Sequence, residues 1–348
     1  MIEIDGSRYS GSGTILRYAV ALSALMGKTL RMINIRAKRG KPGLRSQHLK
    51  SVLACSELVR GEVEGAEVGS QEILFRPGSS IKGGYYEWEI GTAGSSTMLA
   101  MTVLPLLIYA DKPSKLRISG GLFQDHAPSA FHMAHVLFPV IKQTGIEASL
   151  EIIKPGYVPK GGGVIEVQVE PVAYPLNPIR LLKQGGVVEV NGRALSSHLS
   201  RQRVSERMAE PCRRILQQKG YAPKIEVVDD ESALQKGAAL AVWARTDTGC
   251  LIGSDMAGKV GRAAEAIGRH VARALLEDIE QGATVDRFLA DQLIIYAALA
   301  NRVSEYLIPS LTDHVETNLW LVEEIIGAKT EVADKRIRIE GIGYGGAK

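Results

Sequence analysis

Stretches with apolar residues at helical spacing alternate along this chain with short runs of strand character, and the same order returns. A Gly/Ser loop, "SGSGT", opens the apolar helix "ILRYAVALSALMG"; a strand "KTLRMINI", a polar loop, a helix "SQHLKSVLACSELV" and a strand pair ending in "EILFRPG" follow. Further on, "GTAGSST" opens "MLAMTVLPLLIYA", then "SKLRISG", the loop "GLFQDH", a helix "APSAFHMAHVLFPVIKQTG" and the strands "ASLEIIKPG" and "GGGVIEVQVEP". The last pass reads "RFLADQLIIYAALA", "EYLIPSL", a loop carrying His314, a helix "TNLWLVEEIIG" beginning just after it, and "KTEVA" with "KRIRIEGI".

Three copies of one α/β unit predict an α/β (α+β) fold in pseudo-threefold arrangement, each copy burying its helices against its neighbours. The expected main domain comprises residues 1–184 and 281–348, in units of about 1–90, 91–184 and 281–348. Residues 185–280 read as a small inserted α/β domain. There "GVVEVNGRAL", "KIEVV" and "GAALAVWART" have strand character, while "SRQRVSERMAEPCRRILQQKG" and "GRAAEAIGRHVARALLEDI" are amphipathic helices.

With 348 residues and 45% hydrophobic content, the chain can bury real cores. The net charge of +4 is modest, so local clusters of charge matter more. Cys55, Cys212 and Cys250 have no metal-ligand spacing and suit a reducing compartment. The N-terminus lacks a signal-peptide pattern, and "TMLAMTVLPLLIYA", interrupted by Pro105, is shorter than the roughly 20 apolar residues a span requires. A cytoplasmic location without membrane contact is expected.

Several motifs carry candidate chemistry. "MGKTL" has Leu22 where a phosphate-binding loop needs its first glycine, so Gly27 reads as a helix C-cap. "SGSGTILR" and "GTAGSST" are either anion cradles at helix N-termini or ordinary N-cap turns. Arg31 to Lys50 holds Arg31, Arg36, Lys38, Arg39, Lys41, Arg45 and Lys50 without one acidic residue. Such unopposed charge in a Gly/Pro loop suits phosphate or RNA contact. Only 5% of residues are aromatic, so phosphate contacts should outweigh base stacking. Lys160 in "PKGGG" either reaches a phosphate or sits in a tight turn. Of His126, His132 and His135, the last two sit on a helix without an acidic partner at ligand spacing, so the three do not read as a metal site.

Taken together, "DGSRYSGSGTILR", "NIRAKRGKPGLRSQHL", "GSQEILFRPG", "GTAGSST", "GYVPKGGG", "ADQL" and "DHVETN" resemble, in order and spacing, the RNA 3′-terminal phosphate cyclase family. The resemblance spans nearly the whole chain. It implies conversion of an RNA 3′-phosphate to a 2′,3′-cyclic phosphate, using ATP and a divalent metal, Mg²⁺ or Mn²⁺. By motif position it makes His314 the nucleophile that takes AMP, with Arg17, Arg36 and Arg39 handling phosphate. Gln47, Asp291 and Gln292 would lie near the nucleotide, and adenine would stack between Phe288 and Pro128. Lys38, Lys41, Arg45 and Lys160 would contact RNA or phosphate.

The chain departs from the family pattern at Ser10, where a metal-binding glutamate is usual, and at Thr14, where glutamine is. Leu122 and Phe131 stand where threonine and aspartate are common. The metal ligands are therefore unknown. A catalytically impaired, cyclase-like RNA-binding protein of RNA processing or ribosome assembly is the alternative.

Overall fold

The computed structural model describes residues 1–125, 127–173 and 175–346. His126 lies outside the described residues. The chain opens with β1 (Ile2–Asp5), α1 (Gly13–Leu25), β2 (Leu30–Ile33), α2 (Ser46–Val59), β3 (Glu62–Glu64) and β4 (Ile73–Arg76). Next come β5 (Tyr85–Glu89), α3 (Ser96–Leu107), β6 (Ser114–Gly120), α4 (Ala130–His132), a π-helical turn (Met133–Leu137), α5 (Phe138–Lys142), β7 (Ala148–Lys154) and β8 (Gly163–Val169). The short β9 (Arg180–Leu181) precedes β10 (Val187–Ser197), α6 (Val204–Gln218), β11 (Lys224–Asp230), β12 (Gly237–Thr246), β13 (Leu251–Ala257) and α7 (Ala264–Glu280). The chain ends with α8 (Leu289–Gln292), α9 (Ile294–Leu299), β14 (Val303–Leu307), α10 (Asp313–Ile326), β15 (Lys329–Ala333) and β16 (Arg336–Glu340).

Among the described residues the strands form four four-stranded sheets, giving a mixed α+β fold. Three share one connectivity, ordered β1-β2-β4-β3, β5-β6-β8-β7 and β9-β14-β16-β15. In each, the first strand pairs parallel to the second and an antiparallel hairpin completes the sheet. The edge strand Tyr85–Glu89 thus belongs to the second sheet, and Arg180–Leu181 to the third, on the far side of the insertion. The fourth sheet, β11-β10-β12-β13, lies wholly within residues 187–257 and shares a separate hydrophobic cluster with α6 and α7. A larger cluster runs through the other three sheets and their helices and takes in Leu195, Ala239, Ala241, Leu251 and Ala257 of the fourth.

α1 is buried on every face, as a helix apolar all round must be, and packs against α2, α3 and α10. Its end at Met26 and Gly27 (φ +60°) is the expected C-cap turn, with Lys28 Nζ donating to the Ile325 carbonyl at 3.0 Å. The single helix expected over 127–145 instead widens into a π turn at Met133–Leu137, where Phe138 N–H reaches the Met133 carbonyl. Pro139 explains this: it has no N–H to give the carbonyl four residues back. α10 also starts earlier than expected, at Asp313, so His314 belongs to its first turn and does not precede it. Thr312 caps that turn, its hydroxyl accepting from Val315 N–H at 3.3 Å, and Asp313 and Glu316 suit the helix dipole.

Candidate active site

The first glycine loop meets the first turn of α10. Ser12 caps α1, its Oγ accepting from Thr14 N–H at 3.3 Å and lying 3.0 Å from Ser10 Oγ. The Ser10 N–H donates to Thr317 Oγ1 at 3.3 Å, and the Thr317 hydroxyl lies 3.0 Å from Ser10 Oγ. Three hydroxyls thus join the loop to α10. Mg²⁺ held by protein side chains usually has one or two carboxylates. This trio supplies none, and among the described residues no group of three or more His, Cys, Asp or Glu gathers to hold a metal. The donor set at Ser10 does not fit a resident divalent ion.

In the first turn of α1, Thr14 Oγ1 lies 3.4 Å from His314 Nδ1 and accepts from the buried Arg17 guanidinium at 3.2 Å. His314 has solvent-exposed surface. Protein packed about its ring, and then the charges of Arg17 and Arg39, lower its pKa, against a smaller opposing effect of Asp313. The imidazole is therefore kept neutral.

The arginine-rich loop has two kinds of cation. Arg36, at φ +54°, turns inward and donates to the carbonyls of Lys41 (2.8 Å) and Gly43 (2.7 Å). It holds the loop's shape as well as its charge. Lys38, Arg39, Lys41 and Arg45 are exposed, with Lys38 Nζ donating to the Tyr9 carbonyl at 3.1 Å. Beneath them His48 is buried, and burial, then Arg17, Arg36 and Arg45, push its pKa down to about 3. Its ring packs where α1 begins: a Cβ on Gly13 would stand 2.0 Å from His48 Nε2.

From this loop a series of contacts leads through the other units. Gln47 Oε1 accepts from Ser95 N–H of the second glycine loop at 2.9 Å, and Thr97 Oγ1 donates to the Pro128 carbonyl at 2.8 Å. Asp286 carries the Phe288 N–H (2.9 Å) and His132 Nε2 (3.1 Å), and the Phe288 ring stands edge-on to His132. Asn318 Nδ2 donates to the Asp291 carbonyl (3.0 Å) and carboxylate (3.3 Å). Burial pushes the Asp291 carboxyl up to about 7 despite the nearby Arg17. Gln292 is buried with neither amide atom partnered among the described residues. Lys160 is exposed, and its N–H donates to Gln235 Oε1 of the insertion at 3.2 Å, while the next residue, Gly161, packs against Thr92 and Ala93 of the second glycine loop.

Sequence reasoning missed His48, Asp286, Thr317 and Asn318, and weighed His132 only as a metal ligand. Thr317 and Asn318 had a signal, lying three and four residues after His314 on one helix. His132 did have an acidic partner, Asp286, but 154 residues away. His135 stacks flat on Trp243, with ring centroids 4.2 Å apart.

A sequence model of the family described as RNA 3′-terminal phosphate cyclase matches residues 8–332. The chain is 38% identical to the RNA 3′-terminal phosphate cyclase of Pyrobaculum neutrophilum over 347 residues, 99% of each chain. It is 38% identical to that of Pyrococcus abyssi (94% of each chain). It is also 38% identical to that of Nitrosospira multiformis (96% of this chain, 94% of that one). The enolpyruvyl transferase NikO from Streptomyces tendae aligns with 97% of this chain and 51% of its own, so this chain spans about half its length. At 11% identity and a TM-score of 0.25 that likeness supports nothing. By the family match and its near full-length relatives, the chain belongs to the RNA 3′-terminal phosphate cyclase family.

Proposed function

We propose that the protein converts an RNA 3′-terminal phosphate to a 2′,3′-cyclic phosphodiester at the expense of ATP, with His314 as the nucleophile. The observation that carries this reading is the shared hydroxyl of Thr14. Because Thr14 Oγ1 already accepts from Arg17, its second lone pair is suited to accept Nδ1–H of His314, leaving Nε2 unprotonated. Nε2 attacks the α-phosphorus of ATP; an N–P bond forms, the bond to the bridging oxygen breaks, and pyrophosphate leaves. An oxygen of the RNA 3′-phosphate then displaces the imidazole to give an RNA-phosphate-AMP anhydride. The adjacent 2′-hydroxyl, losing its proton, attacks the 3′-phosphorus and expels AMP.

Arg17, Arg36 and Arg39 offset the charge on the transferred phosphates in this reading. Gln47, Pro128, Phe288, Asp291 and Gln292 form the nucleotide side, supported by the unpartnered Gln292 amide. Lys38, Lys41 and Arg45 contact RNA, and Lys160 extends that contact toward the insertion. Since the Ser10 trio supplies no carboxylate, Mg²⁺ or Mn²⁺ is assigned to the ATP triphosphate, as part of the substrate.

The test is incubation with ATP labelled at the α-phosphate, followed by a denaturing gel. An acid-labile labelled band in the wild type and none in His314→Ala is expected. A band in both proteins rules out His314; a band in neither favours the RNA-binding alternative.

A further inference from the structure

Tyr9 adopts φ +41°, a left-handed conformation that a bulky residue rarely takes, yet its side chain is 46% exposed. Its ring rests against Trp320 at 5.5 Å between centroids and 40° between planes. Trp320 is itself only 8% exposed, with the Arg8 guanidinium 5.3 Å from its ring. Two bonds hold the backbone here: Lys38 Nζ to the Tyr9 carbonyl, and the next N–H, of Ser10, to Thr317 Oγ1. The result is a braced aromatic surface open to solvent.

Its place relative to the reacting histidine is set by α10. Trp320 lies about 9 Å along the helix axis and about 120° around it from His314, and Thr317, one turn from His314, accepts from the Ser10 N–H beside Tyr9 at 3.3 Å. Asn318, one residue past Thr317, turns instead toward Asp291 on the nucleotide side. A 3′-phosphate brought to His314 therefore has an aromatic surface nearby, separate from the residues assigned to adenine and flanked by Arg8 and Lys38.

We propose that Tyr9 is the stacking platform for the base of the RNA's 3′-terminal nucleotide. The proposal rests on the reading of His314 given above. An aromatic face accepts any base, so it favours an unpaired 3′ end with little regard to its sequence.

The test is equilibrium binding, by fluorescence anisotropy without ATP, of a labelled single-stranded oligoribonucleotide ending in a 3′-phosphate. Tyr9→Asn and Tyr9→Gly both suit a positive φ, so the fold should persist, with Tm unchanged or raised. The expected result is a Kd about fivefold or more above wild type in both, near the lower end of the range for one base on an aromatic ring. Tyr9→Phe should bind as wild type does. An oligonucleotide whose last residue lacks its base should bind all four proteins alike. Unchanged Kd in Tyr9→Asn and Tyr9→Gly, or an equal loss for the base-free oligonucleotide, overturns the platform. Because the assay needs no ATP, failure of His314 adenylylation is seen separately, as the missing labelled band.

Discussion

His132 Nε2 and the Asp286 carboxylate meet at 3.1 Å with 1% and 0% of their side chains exposed, joining the second unit to the third. Asp286 also accepts from the N–H groups of Gly253, Phe288 and Leu289 at 2.8 to 2.9 Å. Burial opposes charge on both groups, but each partner's charge prevails: His132 is raised and Asp286 lowered. Asp286→Ala should therefore cost on the order of 3–5 kcal/mol, since it strands a buried cation and three backbone donors. As the His132 pKa is raised above 6.5, its share of stability is full below that pH and is lost as pH rises through the folded value. The Asp286 share is present above 3.8 and is lost as pH falls through its lower folded value. Denaturant titrations across pH should show the Ala variant's deficit greatest between those limits; a deficit independent of pH counts against the charged pair.

Thr14→Val keeps the shape of the side chain and removes the oxygen shared by Arg17 and His314. Loss of a hydrogen bond to the neutral imidazole is worth ~0.5–1.5 kcal/mol, so the rate of self-adenylylation should fall about two- to tenfold. Thr14→Ser should restore most of it. Equal rates in the valine and serine variants would mean the hydroxyl does not orient the ring.

Arg39 helps hold the His314 pKa below 6.5. The nucleophile must be neutral, so wild-type labelling should stay level through pH 7 and decline only in acid. Removing the cation in Arg39→Ala should move the midpoint of that decline to higher pH. Single-turnover labelling across pH measures it, and a midpoint that stays or falls contradicts the charge relationship.

Asp291 is ionised in the unfolded chain above about 3.8 but in the folded one only above about 7. As pH rises between those values the unfolded state loses its proton first, and stability falls. Asp291→Asn should thus raise stability at pH 8, by on the order of 1–2 kcal/mol after a discount for its partial exposure, with the gain vanishing near pH 4. Thermal denaturation at the two pH values checks this. A gain equal at both would trace to packing.

Long periodic elements were legible in the residues. α2, β6, β12 and β15 fall where the apolar pattern places them. β9 was not, because two residues carry no period, and only pairing with Glu305 and Tyr306 makes them a strand. The place of His314 was read one turn too early, since Thr312 rather than a residue beyond the histidine caps the helix. At the site, the basic loop was legible as charge. That Arg36 spends two bonds on its own loop was not, because backbone carbonyls leave no mark in a sequence. His132 and Asp286 were invisible as a pair for the same reason that any contact across 154 residues is.

Arg180–Leu181 leaves the ribosome more than a hundred residues before its partner strand Val303–Leu307. The third sheet therefore cannot close during that interval, while the insertion, with a separate apolar cluster, has the means to collapse first. When it does, Gln184 Nε2 donates to the carbonyls of Ile279 (3.1 Å) and Ala283 (2.6 Å), pinning the start of the detour to its end. The long excursion then behaves as a short tether, and most of the chain-closure entropy for the last sheet is already settled before its strands are made.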